Sequence, residues 1–294
     1  MIRHLNPQEQ KPSRVVVIGA AGFVGGAIAA RLERDGIPVL RVSRSDVDLL
    51  AHNAFSLLKD IFRKTDAVVA ASARAPVKDA DMLVENMVMA RAMARALSDL
   101  TVAHVVNISS DAVYADSDRP LTENSCASPG SLHGAMHLAR EVMFQNEIKA
   151  PLAILRPSLL YGAADPHNGY GPNRFRRLAA KGEDIVLFGE GEERRDHVFI
   201  DDVGELVARM LYRRSAGVLN AATGEVQSFM DIARKIVKMG GGKPGIKTTP
   251  RLGPMPHNGY RPFDPAACRE AFPDFRFTSL DVGLKKSMHE AANG

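Results

Sequence analysis

Glycines at 19, 22 and 25 follow four consecutive branched apolar residues in the stretch VVVIGAAGFVG, Val15 to Gly25. A buried strand that stops at a tight turn and enters a helix produces this pattern. Glycine lets the backbone turn sharply and approach a ligand closely, and the free N–H groups and dipole of a helix start attract a pyrophosphate. The spacing G-x-x-G-x-x-G is one residue longer than the commonest dinucleotide fingerprint, G-x-G-x-x-G. A second pattern lies in SLHGAMHLARE, where His133 and His137 stand four residues apart. On a helix such residues share a face, and imidazole exchanges protons near neutral pH. The chemistry these two stretches offer is dinucleotide binding and proton exchange.

The elements that must position them alternate. After a polar tail of about a dozen residues, the first strand runs through the glycine turn into a helix from about Val24 to Asp35, ended by Gly36. Pro38 to Ser43 reads as the second strand, Thr65 to Ser72 as the third, Asp79 to Leu97 as a helix whose alanines and methionines pack on the sheet or on a partner subunit, and Val102 to Ile108 as the next strand. Ser109, Ser110 and Asp111 fall at that strand's end. A helix over Leu132 to Asn146 and a strand over Leu152 to Leu155 follow. This alternation predicts an α/β fold with a Rossmann-like, doubly wound parallel sheet, whose ligands sit beyond the carboxyl ends of the strands.

Beyond that, Ala163 to Arg174 reads as a loop rich in Gly, Pro and Asn, Phe175 to Ala180 as helical and Asp184 to Phe188 as a strand. A helix through Tyr212, a late strand at Val218 to Ala221, a helix near Phe229 to Met239 and a last helix from near Ser279 complete the chain. Gly240 to Pro265 is a stretch dense in Gly and Pro. The division this implies is a cofactor-binding domain over residues 1–160, with 202–224 returning to it, and a smaller α/β substrate-binding domain over most of 161–294.

With 294 residues, 45% hydrophobic and 24% charged, the chain has an ordinary globular composition. No apolar run spans a bilayer, and the first residues lack the apolar centre of a signal peptide. Two cysteines, Cys126 and Cys268, are too few for a disulfide framework and too isolated for a metal site, so a reducing, cytoplasmic setting is expected. A net charge of +4 without basic blocks argues against nucleic acid as a partner and leaves room for a small anionic substrate.

Several motifs in this order resemble the extended short-chain dehydrogenase/reductases, the NAD(P)-dependent nucleotide-sugar epimerases, dehydratases and reductases. GAAGFVG looks like the cofactor loop, Asn86 like the asparagine on the helix after a central strand, and SSDAVY like the catalytic-serine strand. RPSLLYG, Asn173 in GPNRF, RRDHVFIDDV and Arg261 in YRPFD look like the nucleotide-sugar half. The resemblance implies hydride passing between a sugar carbon and a nicotinamide. It places cofactor contacts at Gly19, Ala21, Gly22, Phe23, Val24 and Gly25, at Ser43 and Arg44, at Ala71 and at Asn86. Ser110 matches the serine that binds the reacting oxygen, and Asp111 stands where some dehydratases and reductases carry an acid, although capping the strand end is an equal role for it. Asn173, Arg195 and Arg261 match the residues that hold the substrate's diphosphate, for which guanidinium forks are well suited. The two helices carrying Asn86 and His133 resemble the pair that forms homodimers in this family.

The chain departs from that family at its Tyr-x-x-x-Lys pair. His133 occupies the tyrosine position and His137 the lysine position. One reading makes His133 the acid/base and His137 a ribose ligand or electrostatic partner whose proton lowers the pKa of His133. Another keeps cofactor binding while the proton donor is lost or moved; a third leaves both histidines as plain helix residues. Glu141 shares their face and completes a possible zinc set, but the family already carries an acid near that place and no metal is expected. Where NAD enzymes hold an acid for the ribose hydroxyls, this chain has Ser43 and Arg44, which suit a 2′-phosphate. NADP(H) is therefore favoured over NAD(H), with Asp46 and Asp48 still in reach of a ribose. The function implied is reduction of a keto sugar, or C4 epimerisation, on a nucleotide-diphosphate sugar. The alternative is a non-catalytic NADP-binding sensor or scaffold.

Overall fold

The computed structural model describes residues 2–242 and 244–293. The first half runs β1 (Arg3–His4), β2 (Val15–Ile18), α1 (Phe23–Arg34), β3 (Val39–Val42), α2 (Ala54–Ile61), β4 (Ala67–Ala70), α3 (Ala80–Asp99), β5 (His104–Ile108), α4 (Leu132–Glu147) and β6 (Leu152–Pro157). Next come β7 (Leu159–Tyr161), α5 (Pro172–Ala180), β8 (Ile185–Phe188), β9 (Arg194–Phe199), α6 (Ile200–Tyr212) and β10 (Ser215–Ala221). The chain closes with β11 (Val226–Ser228), α7 (Phe229–Met239), β12 (Ile246–Thr249), β13 (Tyr260–Arg261), α8 (Ala266–Ala271) and α9 (Leu280–Asn293).

Seven strands in the order β1-β10-β6-β5-β4-β2-β3 form the main sheet, parallel except for β1. The alternation of side chains along a strand, with both faces of the sheet covered, explains why β2 and β4 are apolar throughout. Val15 and Val17 face one core with Ala67, Val69 and Val106, packed under α1 and α6, whereas Val16, Ile18, Val68, Ala70 and Val105 face a second core under α2 and α3. Met89 and Met93 of α3 are buried in that second core. A smaller sheet, with β9 at its centre joined to β7, β11 and β13, and the β8–β12 pair carry a third core around Phe175, Phe199, Phe229 and Ile236.

Three features differ from the sequence reading. The polar tail contributes β1, which pairs antiparallel with β10 through Arg3 and His4; two polar residues carry no periodic signal. The Gly- and Pro-dense stretch contains β12, parallel to β8, and β13, parallel to β9. The helix read from Phe175 begins at Pro172, a residue tolerated in a first helical turn. In addition, Cys268, Phe272 and Phe275 pack on the core beneath α1 and α6, so the chain after residue 265 returns to the main sheet. No helix among the described residues is long and apolar enough to cross a membrane.

Candidate active site

The turn between β2 and α1 is built by its glycines. Gly19 has φ of 90°, a left-handed conformation that favours glycine, and its N–H bonds the Val42 carbonyl at 2.8 Å. A Cβ on Gly25 would overlap the Gly19 carbonyl, so the third glycine lets the helix start sit directly on the turn. Gly22 caps α1 without a side-chain hydrogen bond, leaving the first-turn N–H groups for a ligand. Gly22, Phe23, Val24 and Gly25 line one wall of a cavity of about 910 Å³ at the carboxyl end of the main sheet.

The same cavity is lined by Ala71, Ser110, Asp111, His133, His137 and Arg195. Helix α4 brings the histidines there. Ser131 caps it by accepting the Gly134 N–H at 3.2 Å, and Gly134 lets the helix abut the Ser110 turn, since a Cβ at that position would overlap the Ala112 carbonyl. The His133 and His137 rings meet edge to face, 4.7 Å between centroids at 89°. Each has a buried Nδ1 without a protein hydrogen-bond partner.

Burial lowers the pKa of both imidazoles. It does so strongly for His137, which is 6% exposed, and the Arg140 guanidinium adds to the effect at each ring. For His133, the neighbouring Asp111 opposes this and His167 reinforces it. The idea that a protonated His137 depresses His133 is thereby corrected: His137 is neutral, and the fixed positive charge beside the pair is Arg140. Sequence reading passed over Arg140, although its position three residues after His137 and seven after His133 puts it on the same helical face.

Ser110 accepts the Ala112 N–H at 3.1 Å, and its hydroxyl lies 3.4 Å from Asp111 Oδ1. Asp111 itself receives Arg261 Nε at 2.9 Å on its side chain and Nη2 at 2.6 Å on its carbonyl. Arg261 also reaches Asp116 at 3.1 Å and His257 at 3.0 Å, is 2% exposed, and does not line the cavity. Arg195 differs. It lies 3.2 Å from Glu193, and its Nε and Nη1 make no hydrogen bond.

Asn86 and Asn173 lie behind the walls. The Asn86 amide bonds the Arg74 backbone at 2.9 and 3.0 Å and Met82 O at 2.7 Å, which fixes the loop after β4. Asn173 bonds Gly162 N at 3.1 Å and Leu160 O at 3.2 Å. Ser43 ends β3 beside Gly19 and donates its N–H and hydroxyl to Asp46, while the Arg44 side chain is 77% exposed with one 3.3 Å contact to Asp48. Glu141 is engaged behind the site, bonded to Ser109 and forked by Arg156 at 2.9 and 2.5 Å. Tyr114 donates its hydroxyl to Asn220 at 2.7 Å and accepts from Arg156 at 2.9 Å, and burial pushes its pKa up.

A glycine-cradled helix start and a buried histidine pair thus line one cavity. Residues 15–222 match the sequence profile of the NAD dependent epimerase/dehydratase family. The chain belongs to that family. A curated relative, a dTDP-4-keto-6-deoxy-D-glucose reductase of Streptomyces niveus, is 24% identical over 253 residues, 83% of this chain and 82% of its own. Among solved structures, a GDP-L-fucose synthetase from Naegleria fowleri bound to NADP superposes with a TM-score of 0.84 at 17% identity, covering 99% of this chain and 97% of its own. A UDP-glucose 4-epimerase from Thermotoga maritima, solved with UDP-glucose, gives 0.82 at 22% identity, covering 95% and 98%. These likenesses show that the chain has the fold of these proteins.

Proposed function

We propose that the chain is an NADP(H)-dependent reductase or epimerase acting at a keto or hydroxyl carbon of a nucleotide-diphosphate sugar, with His133 exchanging the proton. One observation carries this reading: the α1 start, the histidine pair and the Arg195 guanidinium, whose Nε and Nη1 make no hydrogen bond, line a single cavity. The residues fit a dinucleotide, because the glycine cradle leaves helix-start N–H groups free and the orphaned Nδ1 atoms of His133 and His137 call for polar partners. When bound, the cofactor supplies or accepts a hydride at the sugar carbon. Ser110 offers a hydroxyl to the reacting oxygen. His133, neutral at pH 7, accepts a hydroxyl proton directly and must first be protonated to donate one, so ketone reduction quickens as pH falls. Arg195 supplies the charge for a diphosphate.

The exposed Arg44 beside Ser43 supports NADP(H), since Asp46 already receives both hydrogen bonds from Ser43. The name of the Streptomyces niveus relative supports a reductase. Exposed Val84 on α3 and Val142 on α4, at 60% and 49%, support pairing of two chains through these helices, which light scattering reads out.

The test is to dialyse the protein, assay retained cofactor, and follow NADPH oxidation with dTDP-, UDP-, GDP- and CDP-linked keto sugars. Consumption of NADPH with at least one of them is expected. Stoichiometric retained NAD with no response to NADPH overturns the reductase in favour of an epimerase. The carboxylates saturating Arg261 favour a second reading, a cofactor sensor. Thermal stabilisation by NADPH but by no sugar nucleotide is its signature.

A further inference from the structure

Arg140 is 2% exposed, lines the main cavity, and forms no salt bridge. Its Nη1 donates to the Ser72 carbonyl at 2.8 Å and its Nη2 to the Ile108 carbonyl, so the guanidinium ties the loop after β4 to the end of β5. Among the described residues, Nε has no hydrogen-bond partner. Glu141, its neighbour in sequence, acts on Arg140 by charge but is itself forked by Arg156 and makes no ion pair with Arg140. A buried cation normally demands a counter-ion, because desolvation costs several kcal/mol per charge. Here two carbonyl dipoles take that place, and the net charge remains beneath the histidine pair.

We propose that Arg140 is a positioning residue, the fixed buried cation beside the histidine pair that opposes Asp111 and so tunes proton exchange at His133. Its catalytic consequence rests on the reading of His133 as the acid/base. The groups facing His133 are Asp111 on the turn after β5, His167 on the loop before α5, and His137 and Arg140 on its own helix. Asp111 alone would favour a proton on His133, and that carboxylate is held by Arg261 at 2.9 Å. Of the charges acting on His133, Asp111 is the strongest and favours a proton there, while Arg140 and His167 oppose it. Burial alone would lower the histidine pKa values; the guanidinium adds a charge that solvent does not screen.

The experiment is a direct NMR titration of the His133 imidazole in the full chain, assigned by difference from His133→Phe, in the wild type, Arg140→Gln, Arg140→Met and Arg140→Lys. Removing the charge is expected to raise the His133 midpoint by about one pH unit in the Gln and Met variants, and Lys is expected to stay nearer the wild type. Coincident midpoints in wild type and the neutral variants overturn the proposal. The wild type alone can also overturn the proposal: a His133 midpoint at or above the ordinary 6.5, or one that moves between low and high salt, contradicts a buried cation acting on it. The pH profile of NADPH-dependent turnover separates the two readings. If the imidazole midpoint moves and the profile does not follow, the role of Arg140 stands and that of His133 as acid/base falls.

Discussion

Arg195 and Arg261 are register partners across the parallel β9–β13 pair, yet the protein treats their guanidiniums in opposite ways. Arg261 is enclosed by Asp111, Asp116 and His257, whereas Arg195 lines the cavity with Nε and Nη1 unbonded. Arg261 is committed to side chains of the site, whereas Arg195 keeps unbonded donors beyond its contact with Glu193.

The two alanine variants should therefore part company. Arg195→Ala is expected to raise KM for a sugar nucleotide about 10-fold to 100-fold with little change in melting temperature, the loss of a charge-assisted hydrogen bond. Arg261→Ala leaves Asp111 without its partner and is expected to cost about 3 kcal/mol of stability. Denaturant titrations and steady-state kinetics on both variants check this. Equal effects on KM and stability in the two would contradict the division of labour.

The proposed preference for NADP(H) rests on an exposed side chain, so it is expected to be invertible without harm to the fold. Arg44→Asp is expected to weaken NADPH by about 10-fold or more while leaving or improving NADH, measured by fluorescence titration of both. Unchanged NADPH affinity would remove Arg44 from the site.

Helix α4 is seated by the absence of a side chain at Gly134. Gly134→Ala drives a methyl into the Ala112 carbonyl, so the helix must retreat from the Ser110 turn. A stability loss of about 1–3 kcal/mol is expected, together with a fall in kcat that exceeds any change in NADPH affinity. A variant as stable and active as the wild type would show that this contact does not position the histidines.

Much of the main sheet was legible because its strands are buried on both faces: VVVI, AVVA and HVVNI carry that signal locally. The glycine turn was legible because its backbone geometry dictates residue type. What stayed hidden was non-local. The ion pairs of Arg261 with Asp111 and Asp116 join residues about 150 apart in sequence, and no spacing rule reports them. Arg140 was hidden differently, because an arginine on a helix reads as solvated until the structure shows it buried with backbone carbonyls as its only partners. Strand β12 escaped because its residues, IKTT, sit among glycines and prolines and are fixed by pairing with β8.

Buried neutral imidazoles give the fold an acid limit. Burial pulls His104 down to about 4 and His197 down to about 3, so below the ordinary 6.5 the unfolded chain binds protons that the folded chain refuses. Stability present above pH 6.5 is lost as pH falls from there toward those folded values. For His104, a shift from 6.5 to about 4 is worth on the order of 3 kcal/mol. Urea unfolding of His104→Gln from neutral to acid pH should show that much less acid sensitivity than the wild type. Parallel curves would mean that His104 does not resist protonation in the folded chain.

The most direct measurement uses NADPH deuterated at the nicotinamide C4 and the nucleotide-linked keto sugars, with product analysed by mass spectrometry for wild type and His133→Phe. Deuterium in the sugar ring is expected with the wild type, and a rate lower by about 100-fold or more with His133→Phe while NADPH affinity is retained. No transfer to any of these sugars, or transfer at an undiminished rate without His133, would contradict a hydride-transferring site whose proton passes through that histidine.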